Sequence, residues 1–156
     1  MRSFKLSYAG PEDVDVLADH RKRMWLDIRP ECEAEVRATE KGARKWIRDK
    51  LSKGKLVGLM VRTTDGEVVG SGCIWLREEQ PRPTDMRLVV PYLMSMYTVK
   101  RYRRQGVASL IVNGALKWCR KQEYDRVVLH ASKEGRSVYE GLGFEPSNEM
   151  RVSFRK

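Results

Sequence analysis

The sequence predicts a mixed α/β fold in one layered domain, with a sheet that is partly antiparallel and partly parallel. Three observations predict it. Two β-rich runs, KLVGLMV and EVVGSGCIWL, flank Thr64-Asp65-Gly66, and Asp-Gly favours the positive φ of a tight hairpin. Further on, Val107, Leu110, Ile111, Gly114 and Trp118 follow the i, i+3, i+4 rhythm of a long amphipathic helix. Strand-like and helical segments succeed one another in the order β-α-α-β-β-β-α-β-α-β.

Each element has its own justification. Residues 4–9, FKLSYA, alternate as an edge strand does. Pro11, Glu12 and Asp13 then open a helix, because proline needs no amide donor in a first turn and early acids complement the helix dipole. Val14, Leu17, Ala18 and Trp25 lie on or near one face of it, and RPEC (29–32) breaks the pattern. A second helix over 33–53 carries Val36, Trp46, Ile47 and Leu51. After the hairpin, EEQPRPTD (78–85) is a loop. Residues 87–99 then read as a buried strand in which Pro91 marks an edge, a bulge or a late start. RVVLHA is a short central strand, and KEGRSVYEGL is a short helix stopped by Gly143. MRVSF (150–154) closes the chain as a strand. With no repeat, low-complexity tract or linker, residues 1–156 are expected to form a single domain.

Composition removes several function classes. No window approaches ~20 apolar residues, so no membrane span is expected. The N-terminus has no secretory pattern. Cys32, Cys73 and Cys119 lie far apart without a CxxC, which argues against a disulfide scaffold or a metal site and for a reducing cytoplasm. Lys and Arg total 31 against 21 acids, a net +10 that attracts polyanions: nucleic acid, anionic lipid or a phosphorylated cofactor. Nucleic acid ranks low, because no helix-turn-helix, zinc finger or aromatic sheet motif accompanies the charge.

The basic turn before the long helix is the most informative stretch. Lys100, Arg101, Arg103 and Arg104 precede Gln105, and the helix opens on Gly106-Val107-Ala108. The first amides of a helix have no internal partners, and small residues let an anion approach them. Such a turn suits a pyrophosphate. It is neither a P-loop nor a dinucleotide fingerprint, since GxxxxGK[ST] and GxGxxG are both absent. Taken alone, it is equally a basic loop before an ordinary helix.

RRQGVA resembles the (Arg/Gln)-x-x-Gly-x-(Gly/Ala) motif of the GNAT superfamily of N-acetyltransferases, with Arg103, Gly106 and Ala108 in the defining positions. Downstream, VYEGLGF (138–144) resembles that family's Tyr-x-x-x-Gly-Phe segment. The resemblance covers essentially the whole chain. It implies a GNAT-like α/β fold with splayed middle strands and direct acetyl transfer from acetyl-CoA, as co-substrate, to a primary amine. By resemblance Arg103, Arg104, Gln105, Gly106, Val107, Ala108 and Ser109 hold the CoA pyrophosphate, with Lys100 and Arg101 near the 3′-phosphate. Met96, Tyr97 and Thr98 pair with the pantetheine arm, and Tyr139 is the general acid for the leaving thiolate. Ser132 and Gly135 stand where the family often has Asn and Ala, and Lys100 where Pro is frequent. Ser132 is the remaining pantetheine contact on that segment.

The general base is not specified. The strand LMSMYTV has no Glu. His130 has a suitable unperturbed pKa, although a lone strand histidine is more often structural. His20, Glu31 and Glu33 are weaker candidates, and an acceptor that arrives as the free amine needs no base. Two acidic segments, 27–40 and Glu78-Glu79, are expected beside the acceptor cleft, where they would attract a cationic amine or simply be solvated. The competing reading is a non-catalytic acyl-CoA-binding sensor module. A homodimer is compatible with the fold, but no apolar stripe specifies an interface.

Overall fold

The computed structural model describes residues 3–155. Strand β1 (Phe4–Tyr8) leads into helix α1 (Val14–Ile28), and the short α2 (Glu33–Ala38) and α3 (Glu40–Ser52) follow. Strands β2 (Leu56–Thr63), β3 (Val68–Glu78) and β4 (Val89–Thr98) form a meander. Helix α4 (Val107–Lys121), strand β5 (Val128–Leu129) and helix α5 (Arg136–Gly141) complete the order. The five strands make one sheet in the order β1-β2-β3-β4-β5. The first three pairings are antiparallel and β4–β5 is parallel. The expected mixed α/β fold class is therefore the observed one.

Local chemistry explains the ends of the elements. Pro11 sits in a 3-10 turn ahead of α1, and the Gly10 N–H donates to Asp13 Oδ2 at 2.8 Å. The single helix expected over 33–53 is broken at Thr39. Its hydroxyl donates to the Val36 carbonyl at 2.8 Å and so competes with the backbone ladder.

Helices cover both faces of the sheet. On one face α1 and α3 bury Val14, Leu17 and Ile47 against Leu56, Met60 and Cys73. On the other, α4 packs Val107, Ile111 and Ala115 onto Leu59, Val61, Ile74 and Leu93. Each fully buried side chain of this size contributes roughly 1.5–3 kcal/mol. Glycines set the spacing on the α4 face. A Cβ on Gly70 would lie 2.5 Å from Val107 Cγ1 and 3.2 Å from the Tyr97 carbonyl oxygen, so the helix approaches as closely as it does because β3 carries hydrogen there.

Further expectations fail in detail. Residues 150–154 form no strand, and Met150, Val152 and Phe154 are exposed. Strand β5, expected to be central, is instead the short edge of the sheet; it pairs at only two positions, too few to template a further strand beside it. Trp25, expected on the buried face of α1, is 38 % exposed, and His20 is buried there instead.

Gly70→Ala should cost about 1–3 kcal/mol, because the β-branched Val107 and the Tyr97 carbonyl cannot both retreat. Urea denaturation measures it. Gly42→Ala, with open space around its Cβ inside α3, is the opposite control and should gain up to about 1 kcal/mol.

Candidate active site

The turn after β4 is shaped by backbone conformation. A 3-10 turn, Lys100–Tyr102, ends at Arg103 in extended conformation. Arg104 (φ 62) and Gly106 (φ 84) then both adopt the left-handed region. Left-handed residues between extended and helical ones curl successive N–H groups into a concavity. Among the described residues, none accepts a hydrogen bond from the backbone N–H groups of 104–109. The first internal bond of α4 is Leu110 N–H to the Gly106 carbonyl at 3.0 Å. Nothing lies within 4 Å of an added Cβ at Gly106, so the space in front of the helix is open. Six unpaired donors, a helix dipole and open access make a concavity of positive potential.

The basic side chains around it divide into two sets. Arg103 is committed to the protein: Nε donates to the Thr98 carbonyl at 2.9 Å and Nη2 to Asp27 Oδ2 at 2.5 Å. It ties the turn to the end of β4 and to α1. Arg101 pairs with Glu67, which also accepts from the Tyr102 hydroxyl at 2.6 Å. Lys100 and Arg104 make no ion pair among the described residues and face solvent.

Strand β4 carries a bulge just before this turn. Cys73 opposes Met94 and Ser71 opposes Tyr97, so Ser95 and Met96 together face Gly72. Ser95 has φ 55. The extra residue reverses the alternation of faces. Tyr92 and Met94 lie on the α1/α3 face, whereas beyond the bulge Met96 moves to the α4 face and Tyr97 to the α1 face. Strand β5 leaves β4 at the same level. It pairs only at Tyr92–Val128 and Leu93–Leu129, so Met94 to Thr98 have no strand beside them on that side. The backbone of Met96, Tyr97 and Thr98 therefore leads towards the cradle with no strand on one side, where the Thr98 carbonyl accepts from Arg103.

Tyr97 is held by polar and cationic neighbours. Its ring lies 5.1 Å from the His20 ring, with the guanidinium of Arg23 at 5.1 Å and that of Arg103 at 5.6 Å. His20 Nδ1 is 2.8 Å from Ser71 Oγ. Burial, reinforced by Arg23, pushes the His20 pKa down to about 4, so its ring is neutral near pH 7.

Two cavities flank this centre. The first, about 420 Å³, lies between the sheet and α1 and α3. Leu17, Trp46, Ile47, Leu56 and Met94 line it, with Ser95 of the bulge in one wall. The second, about 530 Å³, lies along β5 and α5 and brings His130 and Tyr139 together. Tyr139 packs edge-on against Phe144, with centroids 5.8 Å apart, and burial raises its pKa, so the phenol keeps its proton. His130 uses both ring nitrogens: Nδ1 lies 2.6 Å from the Tyr92 hydroxyl and Nε2 3.0 Å from Glu149. Ser132 Oγ accepts from the Gly135 N–H at 3.1 Å and so starts α5.

The 27–40 segment reaches the first cavity only through Thr39, and no carboxylate of either acidic segment lines it. Glu31 pairs with Arg29, Glu33 with Arg37, and Glu79 with Arg77, Arg82 and Arg126. Hydrogen bonds from Arg29 and Arg126 hold Glu31 and Glu79 below the usual carboxylate range. Among the described residues, no group of three or more His, Cys, Asp or Glu side chains could hold a metal, and no helix is long and apolar enough to cross a membrane. Sequence reasoning missed the bulge, the His20–Ser71 contact and the Arg21 rim of the first cavity. Pro91 signalled an irregular strand without placing the bulge, and the buried-face spacing of His20 with Leu17 could have flagged the histidine.

His20 makes stability pH-dependent. Its folded pKa lies below the unfolded value near 6.5, so between pH 6.5 and 4 the unfolded chain binds more protons and stability falls as pH falls. His20→Gln should remove up to a few kcal/mol of that acid-side loss. The check is urea denaturation of both proteins at pH 7 and pH 4.5, and equal losses in the two would contradict it.

Comparison with known proteins agrees with this geometry. The acetyltransferase (GNAT) family profile matches residues 15–144. No curated protein matches. A GCN5-related N-acetyltransferase from Ralstonia eutropha superposes with a TM-score of 0.87 at 20 % identity, over 97 % of this chain and 99 % of that one. A predicted acetyltransferase with acetyl-CoA from Clostridium acetobutylicum gives 0.85 at 23 % identity, over 97 % and 96 %. Glucosamine-6-phosphate N-acetyltransferase from Arabidopsis thaliana gives 0.66 at 15 % identity, over 98 % and 99 %. At these identities the structures share a fold. The family match runs from the first turn of α1 to just past α5, and on that ground the chain belongs to the GNAT acetyltransferase family.

Proposed function

We propose that this protein transfers the acetyl group of acetyl-CoA directly to a primary amine. The observation that carries the reading is the run of unpartnered amides at 104–109, continuous with the one-sided backbone of Met96 to Thr98. The acetyl-CoA in the Clostridium acetobutylicum structure of the same fold supports it.

In this reading the cradle holds the pyrophosphate through backbone N–H groups, with Lys100 and Arg104 adding screened attraction. The strand end takes the pantetheine arm as an added strand would. The amine nitrogen bonds to the acetyl carbon as the carbon–sulfur bond breaks. A backbone N–H at the bulge stabilises the developing oxyanion, an effect worth roughly 10²–10³ in rate at comparable sites. Tyr139 gives its proton to the departing thiolate, and burial keeps that proton in place until then. The amine loses its proton to water or arrives without it. His130 would serve as base only by giving up Glu149 or Tyr92. The three free cysteines suit a reducing compartment such as the cytoplasm.

A sensor that binds acyl-CoA without turnover is the second reading, because β4 presents no carboxylate base. Calorimetry with acetyl-CoA and a thiol-release assay over diverse amines separate the two. Binding with turnover is expected, binding without turnover on any amine supports the sensor, and no binding overturns both. Tyr139→Phe should lower kcat by roughly a hundredfold or more while acetyl-CoA affinity is unchanged. An unchanged kcat would remove Tyr139 from the acid role.

A further inference from the structure

The cavity beside the β4 bulge carries one charged side chain, Arg21, and it is cationic. Arg21 projects from α1 and is half-buried. Its single hydrogen bond is Nη1 to Thr39 Oγ1, a long 3.4 Å contact. That hydroxyl is itself committed to the Val36 carbonyl. Among the described residues no carboxylate pairs with Arg21. Nearby Glu40 faces Lys22 at 3.7 Å and Arg37 at 3.9 Å, and Asp19 faces Lys22 and Arg23. Desolvation lowers the Arg21 pKa, which marks a cation held where its charge is poorly compensated. A guanidinium offers five donors in a fork that matches a carboxylate. With one weak protein acceptor, its remaining donors face water or an incoming anion at the mouth of the cavity.

The remaining walls are apolar: Trp46, Ile47, Leu56, Leu17 and Met94, with Cys73 on the floor of the sheet. The Cys73 thiol is inert, since burial raises its pKa to about 12. The volume of about 420 Å³ falls within the ~300–1,000 Å³ of small-molecule sites. Ser95 closes the end nearest the place where β4 and β5 part.

We propose that this cavity binds the acceptor, and that the acceptor is a small amine with an apolar body and a carboxylate, such as an apolar amino acid. Its carboxylate pairs with the Arg21 guanidinium, its apolar part lies against Trp46 and Ile47, and its amine points to the bulge at Ser95. The inference rests on the acetyl-transfer reading and replaces the expectation of a cleft that attracts cations. A phosphate dianion would bring two charges to one guanidinium. A cationic polyamine would meet Arg21 with no acid in the lining.

The test uses two series: phenylalanine, phenylalaninamide and phenethylamine; and leucine, leucinamide and isopentylamine. Binding is read by quenching of tryptophan emission, since Trp46 lines the cavity and Trp75 lies edge-on to it at 5.4 Å. Turnover is read by thiol release from acetyl-CoA. In at least one series the amino acid should exceed its amide and its decarboxylated amine by roughly 10- to 100-fold in affinity and in kcat/KM. Arg21→Gln should abolish that preference, Arg21→Lys should restore part of it, and acetyl-CoA calorimetry on both variants reports that the fold is intact. Equal or better binding of the amide or amine, a preference that survives in Arg21→Gln, or no binding in either series overturns the proposal. Loss of acetyl-CoA binding in the unaltered protein would instead overturn the acetyl-transfer reading, and the fluorescence arm still decides whether the cavity takes carboxylates.

Discussion

One extra residue in β4 governs the geometry of the centre of this molecule. Ser95 and Met96 together oppose Gly72, and Ser95 accepts a φ of 55 to make that possible. A non-glycine residue in the left-handed region costs of order 1–2 kcal/mol, so the surrounding sheet must over-determine it. It does so on one side only. Strand β3 continues to pair with β4 on both sides of the bulge, while β5 pairs below it and stops. The gap between β4 and the edge strand β5 and the reversal of side-chain faces both arise at this level of β4.

The bulge is also positioned by contacts beyond it. Tyr97 emerges on the α1 face among His20, Arg23 and Arg103. Arg103 then joins the Thr98 carbonyl to Asp27 at the far end of α1. The first helix thus holds the end of β4 at both its middle and its C-terminus. The motif arginine works here as a staple, and under the proposed function the anion falls to backbone amides that cannot swing away. A cradle of backbone donors is already organised before a ligand arrives, whereas long arginine side chains lose rotamer freedom on binding.

Much of this was legible from residue patterns, and the parts that were not share a reason. The Asp65-Gly66 hairpin, the α4 rhythm and the Gly106-Val107-Ala108 helix start are local signals, because turn chemistry and periodicity act over a few residues. Pro91 announced an irregular strand, but the irregularity came four residues later, at Ser95, where nothing in the side chain demands it. The bulge follows from pairing with Gly72, a partner more than twenty residues away in sequence, and no window along the chain contains both. His20 was hidden in the same way, since a histidine is buried on a helix only when a partner such as Ser71 waits on another element. The alternating Met150, Val152 and Phe154 looked like a strand, but strand formation needs an edge to pair with, and β5 offers two residues.

Charge compensation separates surface from site more clearly than total charge does. The net +10 is spread over a surface on which Arg29, Arg37, Arg62, Arg77, Arg82, Arg126 and Arg136 each face a carboxylate. Exposed pairs of that kind contribute at most about 1 kcal/mol each and leave little local field. Other surface cations, Lys41, Arg48, Lys117 and Arg120 among them, also make no ion pair among the described residues, but two regions set positive potential against a concave space: the amides of 104–109 with Lys100 and Arg104, and Arg21 at the apolar cavity. The parted end of β4 lies between them. Under the proposed transfer from acetyl-CoA to a carboxylate-bearing amine, two anionic reactants meet at one carbonyl carbon, each held by its far end, and this separation serves that meeting. If both cationic sites lay on one side of the gap, the two reactants would compete for them rather than meet.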